Sequence, residues 1–540
     1  MKPFVTLAIF FALFIVSITT VSCNGKGQKT DNIKKDTIPA AAADDMAIPG
    51  SFSTQSAIIF DSNKLTTFFQ KYPAFNNYKQ NIDSFYENRK FAFAWFDSKG
   101  IIEQAGNLLN RMVNINQEGL PDSIFYKAEF TDMISNDGLD SANKPAVYTE
   151  LMLTAQYFYY ADKVWQGFND KTLTSIDWFL PRKKVSYTQM LDSLIGGKDV
   201  LSAAPVFIQY NRLKDYLRKF RNIQASGGFP QVKADKKSYK KGDSSEVLKT
   251  IRSILVQTGD LSTNDNSTLY DDELEQGVKS FQSRFGIATD GVIGQSFIKE
   301  INTPVEKRIE QIIVNMERSR WVPVSLTKNY VVINIPEFKL HVFENDSLAW
   351  SMNVVVGQPA HKTVIFNGDI KYIVFSPYWN VPTSIKNNEI LPAIRRNKNY
   401  LASHNMEYYD GGNIRQKPGP NNSLGLVKFL FPNSHSIYLH DTPSKSLFGE
   451  SSRAFSHGCI RLSEPQKFAE YLLRNDSAWT KDKIVTAMNA GKEKYVTLKT
   501  PLPVFIAYFT TWVDGSGKIN FRNDVYGRDS RISEMLVSKK

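Results

Sequence analysis

The stretch Ser456-His457-Gly458-Cys459-Ile460-Arg461-Leu462 contains one of only two cysteines in the 540-residue chain. The other, Cys23, follows an apolar N-terminal segment and is explained below by processing, so Cys459 is the candidate thiol nucleophile. A free thiol has a pKa of about 8.5 and needs a neighbouring base or positive charge to form more thiolate. Of the six histidines, His457 and His440 are the nearest to Cys459 in sequence and can provide that base.

Two other interpretations of these residues stay open at this point. A lone cysteine is commonly a small buried hydrophobic residue. A zinc site built from His440, His457 and Cys459 is a second alternative, although no fourth ligand stands at a recognisable spacing. The glycine before the cysteine and the Ser-His pair before the glycine indicate a tight loop with exposed backbone amides. Such a loop suits an oxyanion hole better than a core.

The motif and its flanks point to one enzyme family. His440, followed after a spacer by Ser456-His457-Gly458-Cys459-Ile460-Arg461, resembles the signature of the L,D-transpeptidases, the cysteine enzymes that cross-link peptidoglycan. The flanking segments 438–443 and 447–448, with Arg453 after them, resemble the large multidomain branch of that family, which carries a YkuD-type catalytic domain.

The resemblance implies a role for each motif residue. Cys459 is the nucleophile, His440 is the general base, and the backbone carbonyl of Asp441 orients the imidazole. His457 and the amides of Gly458 and Cys459 shape the oxyanion site. Arg461 stands where many shorter family members have Asn, and its charge suits a substrate carboxylate. No metal or organic cofactor is implied. The expected substrate-binding residues are Arg461, Ser456, Arg453 and Tyr438.

The N-terminus predicts export. Residues 1–22 combine Lys2 with an apolar run and end in small residues before Cys23, which is typical of a signal rather than a spanning helix. Val21-Ser22-Cys23 resembles the end of a lipoprotein signal, so a periplasmic protein tethered to the membrane through Cys23 is expected. An uncleaved anchor is the alternative. Export argues against nucleic acid as the partner of this chain, although its net charge is +12. It also leaves Cys459 without a disulfide partner, which favours catalysis.

Composition and periodicity predict an α+β multidomain fold. The length suggests roughly three or four domains. Apolar residues between Ile101 and Met112 repeat at helical spacing, whereas residues 330–357 alternate with the period of strands. Residues 244–303, with Phe281-Gln282 and Asp290-Gly291-Val292-Ile293-Gly294, resemble a three-helix peptidoglycan-binding domain. With the resemblance, the predicted segments are a signal (1–23), a flexible tether (24–51), a helical segment that resembles the scaffold domain of the large family members (52–232), a peptidoglycan-binding domain (243–304), a mainly β catalytic domain (326–500) and a C-terminal hairpin packed on the body (501–530).

An insertion interrupts the strand pattern before the candidate histidine. Residues 382–432 are rich in Asn, Lys, Gly and Pro, and a loop-rich segment of this length is more often functional than idle. In the enzymes that the chain resembles, this segment is a lid that caps the substrate.

The resemblance implies a peptidoglycan L,D-transpeptidase that forms 3→3 cross-links and releases D-alanine from tetrapeptide stems. The expected partners are stem peptides and glycan, with a D,D-carboxypeptidase supplying tetrapeptide donors. Three alternatives remain open. An L,D-carboxypeptidase would use the same acyl-enzyme, a wall-binding lipoprotein would have no activity, and a zinc hydrolase would use the motif as ligands.

Overall fold

The computed structural model describes residues 58–201, 203–323 and 328–537. The predicted signal, the lipidation site at Cys23 and the tether lie outside these residues. Among the residues described, no helix combines the length and the apolar character needed to span a membrane.

The N-terminal region is helical, as the periodicity predicts. The described residues between 58 and 225 form eight α-helices. A short hairpin follows the second helix, and a two-residue strand follows the sixth. Gly119, with a φ of +75°, ends the 3-10 turn Ile115–Glu118 that follows the third helix. The elements are α1 (Asn63–Lys71), α2 (Lys79–Asn88), β1 (Phe96–Asp97), β2 (Gly100–Ile101), α3 (Glu103–Val113), α4 (Lys127–Ser135), α5 (Val147–Tyr160), α6 (Asp170–Ser175), β3 (Trp178–Phe179), α7 (Tyr187–Ile195) and α8 (Ile208–Ala225).

Three further helices form the small domain, namely α9 (Val247–Thr258), α10 (Asp272–Arg284) and α11 (Gln295–Ile301). Its signature residues build core and turn. Phe281 and Ile293 are buried, and the buried Gln282 side chain accepts a hydrogen bond from the Gly291 amide at 2.9 Å. The same side chain donates to Asp290 at 2.8 Å and so holds the turn closed. Helix α12 (Val305–Trp321) then leads into the last domain.

The last domain is mainly β. Its elements are β4 (Asn329–Asn334), β5 (Lys339–Glu344), β6 (Ser347–Gly357), β7 (Ile365–Phe375), β8 (Trp379–Asn380), α13 (Thr383–Ile385), α14 (Leu391–Arg396), α15 (Tyr400–Ser403), β9 (Met406–Tyr409), β10 (Asn413–Gln416), β11 (Val427–Leu430), β12 (Leu439–His440), β13 (Ala454–Ser456), β14 (Ile460–Leu462), α16 (Pro465–Leu473), α17 (Lys481–Met488), β15 (Lys494–Ala507), β16 (Thr511–Val513), β17 (Ile519–Phe521) and α18 (Arg528–Val537).

The main sheet closes on itself around a buried core. Its strand order is β11-β12-β14-β6-β5-β4-β15-β7, and β11 also pairs with β7, which completes the ring. Strand β12 is parallel to β14, so Leu439 lies opposite Ile460 and His440 lies opposite Arg461. This one short pairing joins the two halves of the sequence motif.

The helical and β parts are interlocked. Strand β3, from the helical region, extends the main sheet in parallel beside β7, where Trp178 pairs with Ile365. In the opposite direction, the C-terminal hairpin β16-β17 enters the helical core, and Phe521 stacks on Phe285 of the small domain at 5.2 Å. Gln209 of α8 exchanges two 2.8 Å hydrogen bonds with the backbone of Val513. The predicted α+β multidomain fold class is confirmed.

The predicted C-terminal hairpin is wrong in its first strand. The alternating residues 503–509 and 518–521 are the two strands of the hairpin predicted for residues 501–530, but β15 runs across the predicted boundary at residue 500 and pairs with β4 and β7. Its Val504 and Ile506 are buried in the ring core. A period-2 pattern gives the exposure of a strand but not its partner, and β17 pairs instead with the short β16.

The insertion is more regular than a loop-rich lid and ends earlier than predicted. It contains α13 to α15 and the three-stranded sheet β8-β10-β9. A small core of Val381, Ile390, Met406 and Ile414 holds these elements together. Residues 427–430, which were assigned to the insertion, form β11 of the main sheet. Because the insertion is rich in Asn, Lys, Gly and Pro, its composition resembles that of a loop.

Candidate active site

His440 is buried at the end of β12 and is held in one orientation. Its Nδ1 lies 2.5 Å from the backbone carbonyl of Asp441, which accepts the hydrogen bond when Nδ1 carries the proton. This tautomer leaves Nε2 unprotonated and able to take a proton. The Asp441 carboxylate is itself fixed by Lys445 and by the Leu426 amide at 2.9 Å. Gly425 packs so closely on Asp441 that a Cβ there would overlap the carboxylate.

The environment of His440 keeps the imidazole neutral. Burial, together with the nearby charges of Arg461 and Lys428, lowers the pKa of His440 to about 3, although its hydrogen bond to the Asp441 carbonyl acts in the opposite direction. At neutral pH the imidazole is therefore uncharged.

Cys459 is partly buried directly before β14. Its Sγ lies 3.7 Å from the backbone carbonyl of Ser436. Burial raises the pKa of the thiol, while hydrogen bonds from the backbone and hydroxyl of Tyr438 and the charge of Arg461 act in the opposite direction. No direct hydrogen bond joins Sγ to His440 within the described residues. Both shifts favour the neutral thiol and the neutral imidazole over a thiolate-imidazolium pair.

The loop before Cys459 has a different amide arrangement from the one expected. Ser456 Oγ accepts a hydrogen bond from the Gly458 amide at 3.1 Å and donates to the Cys459 carbonyl at 2.5 Å. The Gly458 amide is therefore occupied, and the prediction that it lines an oxyanion site does not fit this geometry. The Cys459 amide makes no hydrogen bond to the described part of the chain. Ser456 holds the loop, and Gly458, at φ +114°, adopts a backbone conformation that only glycine takes readily.

His457 does not face the thiol. Its Nε2 lies 3.0 Å from the Glu389 carboxylate of the insertion, and its ring lies 5.0 Å from the ring of His361. The side chain is 41% exposed. His457 was predicted to shape the oxyanion site, whereas it connects the Cys459 loop to the insertion. Glu389 and His361 are far from the motif in sequence, so no local pattern indicated this contact.

The remaining predicted residues divide into two groups. Tyr438 and Arg461 are close enough to Cys459 for hydrogen-bond or charge interactions with the thiol. Arg461 keeps a buried Nε without a hydrogen-bond partner. Arg453, by contrast, donates to the backbone carbonyls of Glu450 and Phe338. Its role as a substrate contact stays a prediction, and its observed contacts support the loop.

Arg461 tunes both reactive groups, which gives a first expected result. In a Cys23→Ser background, Arg461→Met should raise the pKa of Cys459 and also that of His440, because it removes a positive charge beside each. Alkylation of Cys459 by iodoacetamide at pH 7 should slow by about 3- to 10-fold, with its pH profile shifted upward. Arg453→Met, a matched loss of charge in the same segment, should leave the profile in place. An unchanged profile in Arg461→Met would contradict this assignment.

Residues 328–496 match the sequence profile of the YkuD-type L,D-transpeptidase catalytic domain. This segment belongs to the L,D-transpeptidase catalytic domain family. Ahead of the L,D-transpeptidase domain, residues 80–217 match a scaffold-domain profile and residues 244–301 match a peptidoglycan-binding domain profile. The candidate residues Cys459 and His440 both lie within the L,D-transpeptidase match.

A curated relative agrees with the assignment of the L,D-transpeptidase domain. A curated Haemophilus influenzae protein assigned as an L,D-transpeptidase is 31% identical over 260 residues, which cover 44% of this chain. The chain spans about half of that relative, 52% of its length. The L,D-transpeptidase structure from Stackebrandtia nassauensis is 14% identical and matches 51% of this chain and 97% of its own, with a TM-score of 0.21. The Mycobacterium smegmatis L,D-transpeptidase is 15% identical and covers 33% of this chain and 58% of its own at 0.19. Such TM-scores add nothing to the sequence match.

The geometry gives no ligand set for the zinc alternative. Within residues 58–201, 203–323 and 328–537, no three His, Cys, Asp or Glu side chains come together as metal ligands would. His440, His457 and Cys459 point to different neighbours, namely the Asp441 carbonyl, Glu389 and the Ser436 carbonyl.

Proposed function

We propose that the chain is a peptidoglycan L,D-transpeptidase that forms 3→3 cross-links through an acyl-enzyme on Cys459. One observation carries the proposal. The parallel pairing of β12 with β14 brings an oriented, neutral imidazole, His440, beside the strand that directly follows Cys459, the only thiol of the described residues. A nucleophile and a base on adjacent strands are the minimum set for acyl transfer by a thiol.

In the first step, Cys459 Sγ attacks the carbonyl carbon of the third residue of a tetrapeptide stem. The thiol proton passes to Nε2 of His440 during the attack, because neither group is charged beforehand. Negative charge collects on the carbonyl oxygen, and the unbonded Cys459 amide is the donor available to it. The C–N bond to D-alanine then breaks, His440 returns the proton to the departing amine, and a thioester remains.

In the second step, the side-chain amine of a diamino acid on another stem attacks the thioester carbonyl. His440 takes a proton from this amine and delivers it to the departing thiolate of Cys459, so the enzyme returns to its starting state. Water must be kept from the thioester for cross-linking to prevail over hydrolysis. The folded insertion, which contacts the Cys459 loop through Glu389, is proposed as the lid that excludes it.

The proposed setting is the periplasm, with the chain tethered to the membrane through Cys23. The donor is a tetrapeptide, which must come from an enzyme that removes the terminal residue of a pentapeptide stem, a D,D-carboxypeptidase reaction. The match over residues 244–301 supports contact with the wall polymer.

Product analysis tests the proposed reaction. The purified full-length chain is incubated with disaccharide tetrapeptide, and the products are separated and identified by mass spectrometry. A dimer with the mass of two donors minus one alanine and a 3→3 linkage is expected. A disaccharide tripeptide without dimer would replace the proposal with an L,D-carboxypeptidase. Absence of both products from a folded chain would favour the wall-binding alternative.

The contact between the insertion and the Cys459 loop gives a further expected result. Glu389→Gln weakens the exposed contact between the Glu389 carboxylate and His457 Nε2, and exposed contacts of this kind contribute about 0.2 to 1 kcal/mol. The KM for the donor should rise by about 2- to 5-fold, while the rate of Cys459 alkylation stays the same. Glu344→Gln removes a pair of similar length and exposure with Arg474 and should change neither quantity. Equal KM values for Glu389→Gln and the unaltered chain would contradict the lid contact.

A further inference from the structure

A tyrosine beyond the matched catalytic segment contacts the backbone beneath the Cys459 loop. Tyr526 lies between β17 and α18 and is buried. Its hydroxyl donates a hydrogen bond to the Gly357 carbonyl at 2.7 Å and accepts one from the Thr363 amide at 3.2 Å. The two partners stand at the start and end of the loop that connects β6 to β7. One hydroxyl thus joins both ends of that loop.

Thr363 extends the connection to the residue before the nucleophile. The buried Thr363 hydroxyl accepts a hydrogen bond from the Gly357 amide at 2.9 Å and donates to the Gly458 carbonyl at 2.8 Å. Gly357 has no space for a side chain, since a Cβ there would lie 2.0 Å from the His361 carbonyl. The hydroxyls of Tyr526 and Thr363 each accept one hydrogen bond and donate another, which makes the arrangement stiff.

The Gly458 carbonyl and the Cys459 amide belong to the same peptide unit. That unit is planar and trans, so its C=O and N–H point in opposite directions. When Thr363 holds the carbonyl, the Cys459 N–H is directed away from Thr363. The Cys459 amide therefore has a fixed orientation and makes no hydrogen bond to the described part of the chain.

Tyr526 is in turn held by the C-terminal segment. Its amide donates to the hydroxyl of Tyr508 at 2.8 Å, and that hydroxyl donates to Asp524 at 2.5 Å. Asp524 accepts hydrogen bonds from the amides of Arg528 and Asp529 at the start of α18. The position of the Tyr526 hydroxyl is therefore set by segments outside residues 328–496 of the family match.

We propose that Tyr526 is a positioning residue for acyl transfer, which acts through Thr363 to orient the peptide unit between Gly458 and Cys459. The proposal rests on the acyl-transfer function proposed above. It predicts that the C-terminal segment of this chain contributes to the rate of carbonyl attack, although it contacts neither the thiol nor the imidazole. Attack on a carbonyl needs the oriented amide, whereas alkylation of the thiol does not.

The test separates these two reactions of one thiol. In the full-length chain with Cys23→Ser, Tyr526→Phe keeps the ring that stacks on Tyr508 and removes only the hydroxyl. Acylation of Cys459 by imipenem, followed by intact mass, should slow by about 10-fold, and kcat for cross-linking should fall to a similar extent with KM within two-fold. The alkylation rate of Cys459 by iodoacetamide and its pH profile should stay the same.

Two controls address a general loss of stability. Tyr157→Phe removes another buried hydroxyl, which donates to the Tyr187 carbonyl at 2.9 Å in the helical region, and should not change acylation. Thr363→Val should slow acylation at least as much as Tyr526→Phe, and Thr363→Ser, which keeps the hydroxyl, should restore it. The double variant Thr363→Val with Tyr526→Phe should be less than additive, since both act on one peptide unit.

The outcomes distinguish this proposal from the proposed function. Unchanged acylation in Tyr526→Phe would overturn the positioning role. An equal loss of acylation and alkylation would also overturn it, since that result indicates a general structural effect. If the unaltered chain forms no cross-linked dimer but Tyr526→Phe still slows acylation by imipenem alone, the positioning role stands and the proposed substrate fails.

Discussion

Replacing Cys459 with alanine is expected to abolish cross-linking, with a loss of at least about 10⁴-fold in kcat. The thiol supplies the only bond to the acyl group in the proposed route, and no second thiol stands among the described residues. The side chain is only partly buried and its contacts with the Ser436 carbonyl and with Tyr438 are weak sulfur hydrogen bonds, so the variant should fold. Dimer and tripeptide products are quantified with disaccharide tetrapeptide.

The matched control for this variant is Cys23→Ser, which removes the other cysteine of the chain. It should keep full activity in a purified preparation, since Cys23 is proposed only as the membrane tether. Activity that persists in Cys459→Ala and disappears in Cys23→Ser would contradict the assignment of the nucleophile. Circular dichroism and thermal unfolding of both variants exclude misfolding as the cause.

His440→Gln is expected to lower kcat by about 10²- to 10⁴-fold while the variant still binds the donor. Glutamine can donate to the Asp441 carbonyl but cannot take the thiol proton, so the geometry is kept and the chemistry is lost. Comparison with His341→Gln, which replaces a histidine on β5 that contacts Glu337 and Ser351, controls for the loss of an imidazole. Equal kcat values for His440→Gln and the unaltered chain would contradict the role of the base.

The same residue predicts a pH dependence of activity and stability. Because burial lowers the pKa of His440 to about 3, the base stays neutral from about pH 5 upward, and the usual acid limb near pH 6.5 should be absent from kcat/KM. Burial raises the pKa of the Cys459 thiol, so its thiolate fraction grows only at high pH. The value of kcat/KM should therefore rise with pH over the alkaline range. For stability, a histidine with a lowered folded pKa contributes stability above its unfolded pKa near 6.5 that is lost as the pH falls toward 3.

The candidate catalytic residues could be predicted from the sequence because they lie close together in the chain. Cys459, Gly458 and Ser456 stand together in the chain, and His440 is recognisable by its spacing from them. The contact of its imidazole with Asp441 is between neighbours in sequence, so a family signature could anticipate it. The scaffold and peptidoglycan-binding segments were recognisable by their resemblance to domains of that family, whereas their local spacing indicated only that they are helical.

The parts that the sequence did not predict all depend on contacts between distant segments. His457 meets Glu389, Thr363 meets Gly458, and Tyr526 meets Gly357, and nothing near any of these residues in sequence indicates its partner. The same reason explains the misplaced hairpin. Val504 and Ile506 have the alternation of a strand, but the choice of β4 and β7 as neighbours is made by ring closure.

The scaffold domain contributes a strand to the main sheet of the catalytic domain. Strand β3 pairs with β7, and Phe179 of β3 packs against His435 with ring centres 5.4 Å apart. His435 directly precedes Ser436, whose carbonyl contacts Cys459 Sγ. A two-residue strand has too little sequence to show a period, which is why this contact could not be read from the pattern.

The central claim is that Cys459 carries the acyl group, and intact-mass spectrometry tests it most directly. The Cys23→Ser chain is mixed with disaccharide tetrapeptide, quenched in acid within the first turnovers, weighed and then digested for peptide mapping. The predicted result is a mass gain equal to the disaccharide tripeptide acyl group, located on the peptide that contains Cys459 and accumulating further in the absence of an acceptor amine. Cross-linked product without any adduct on Cys459, or an adduct that persists in Cys459→Ala, would contradict the account.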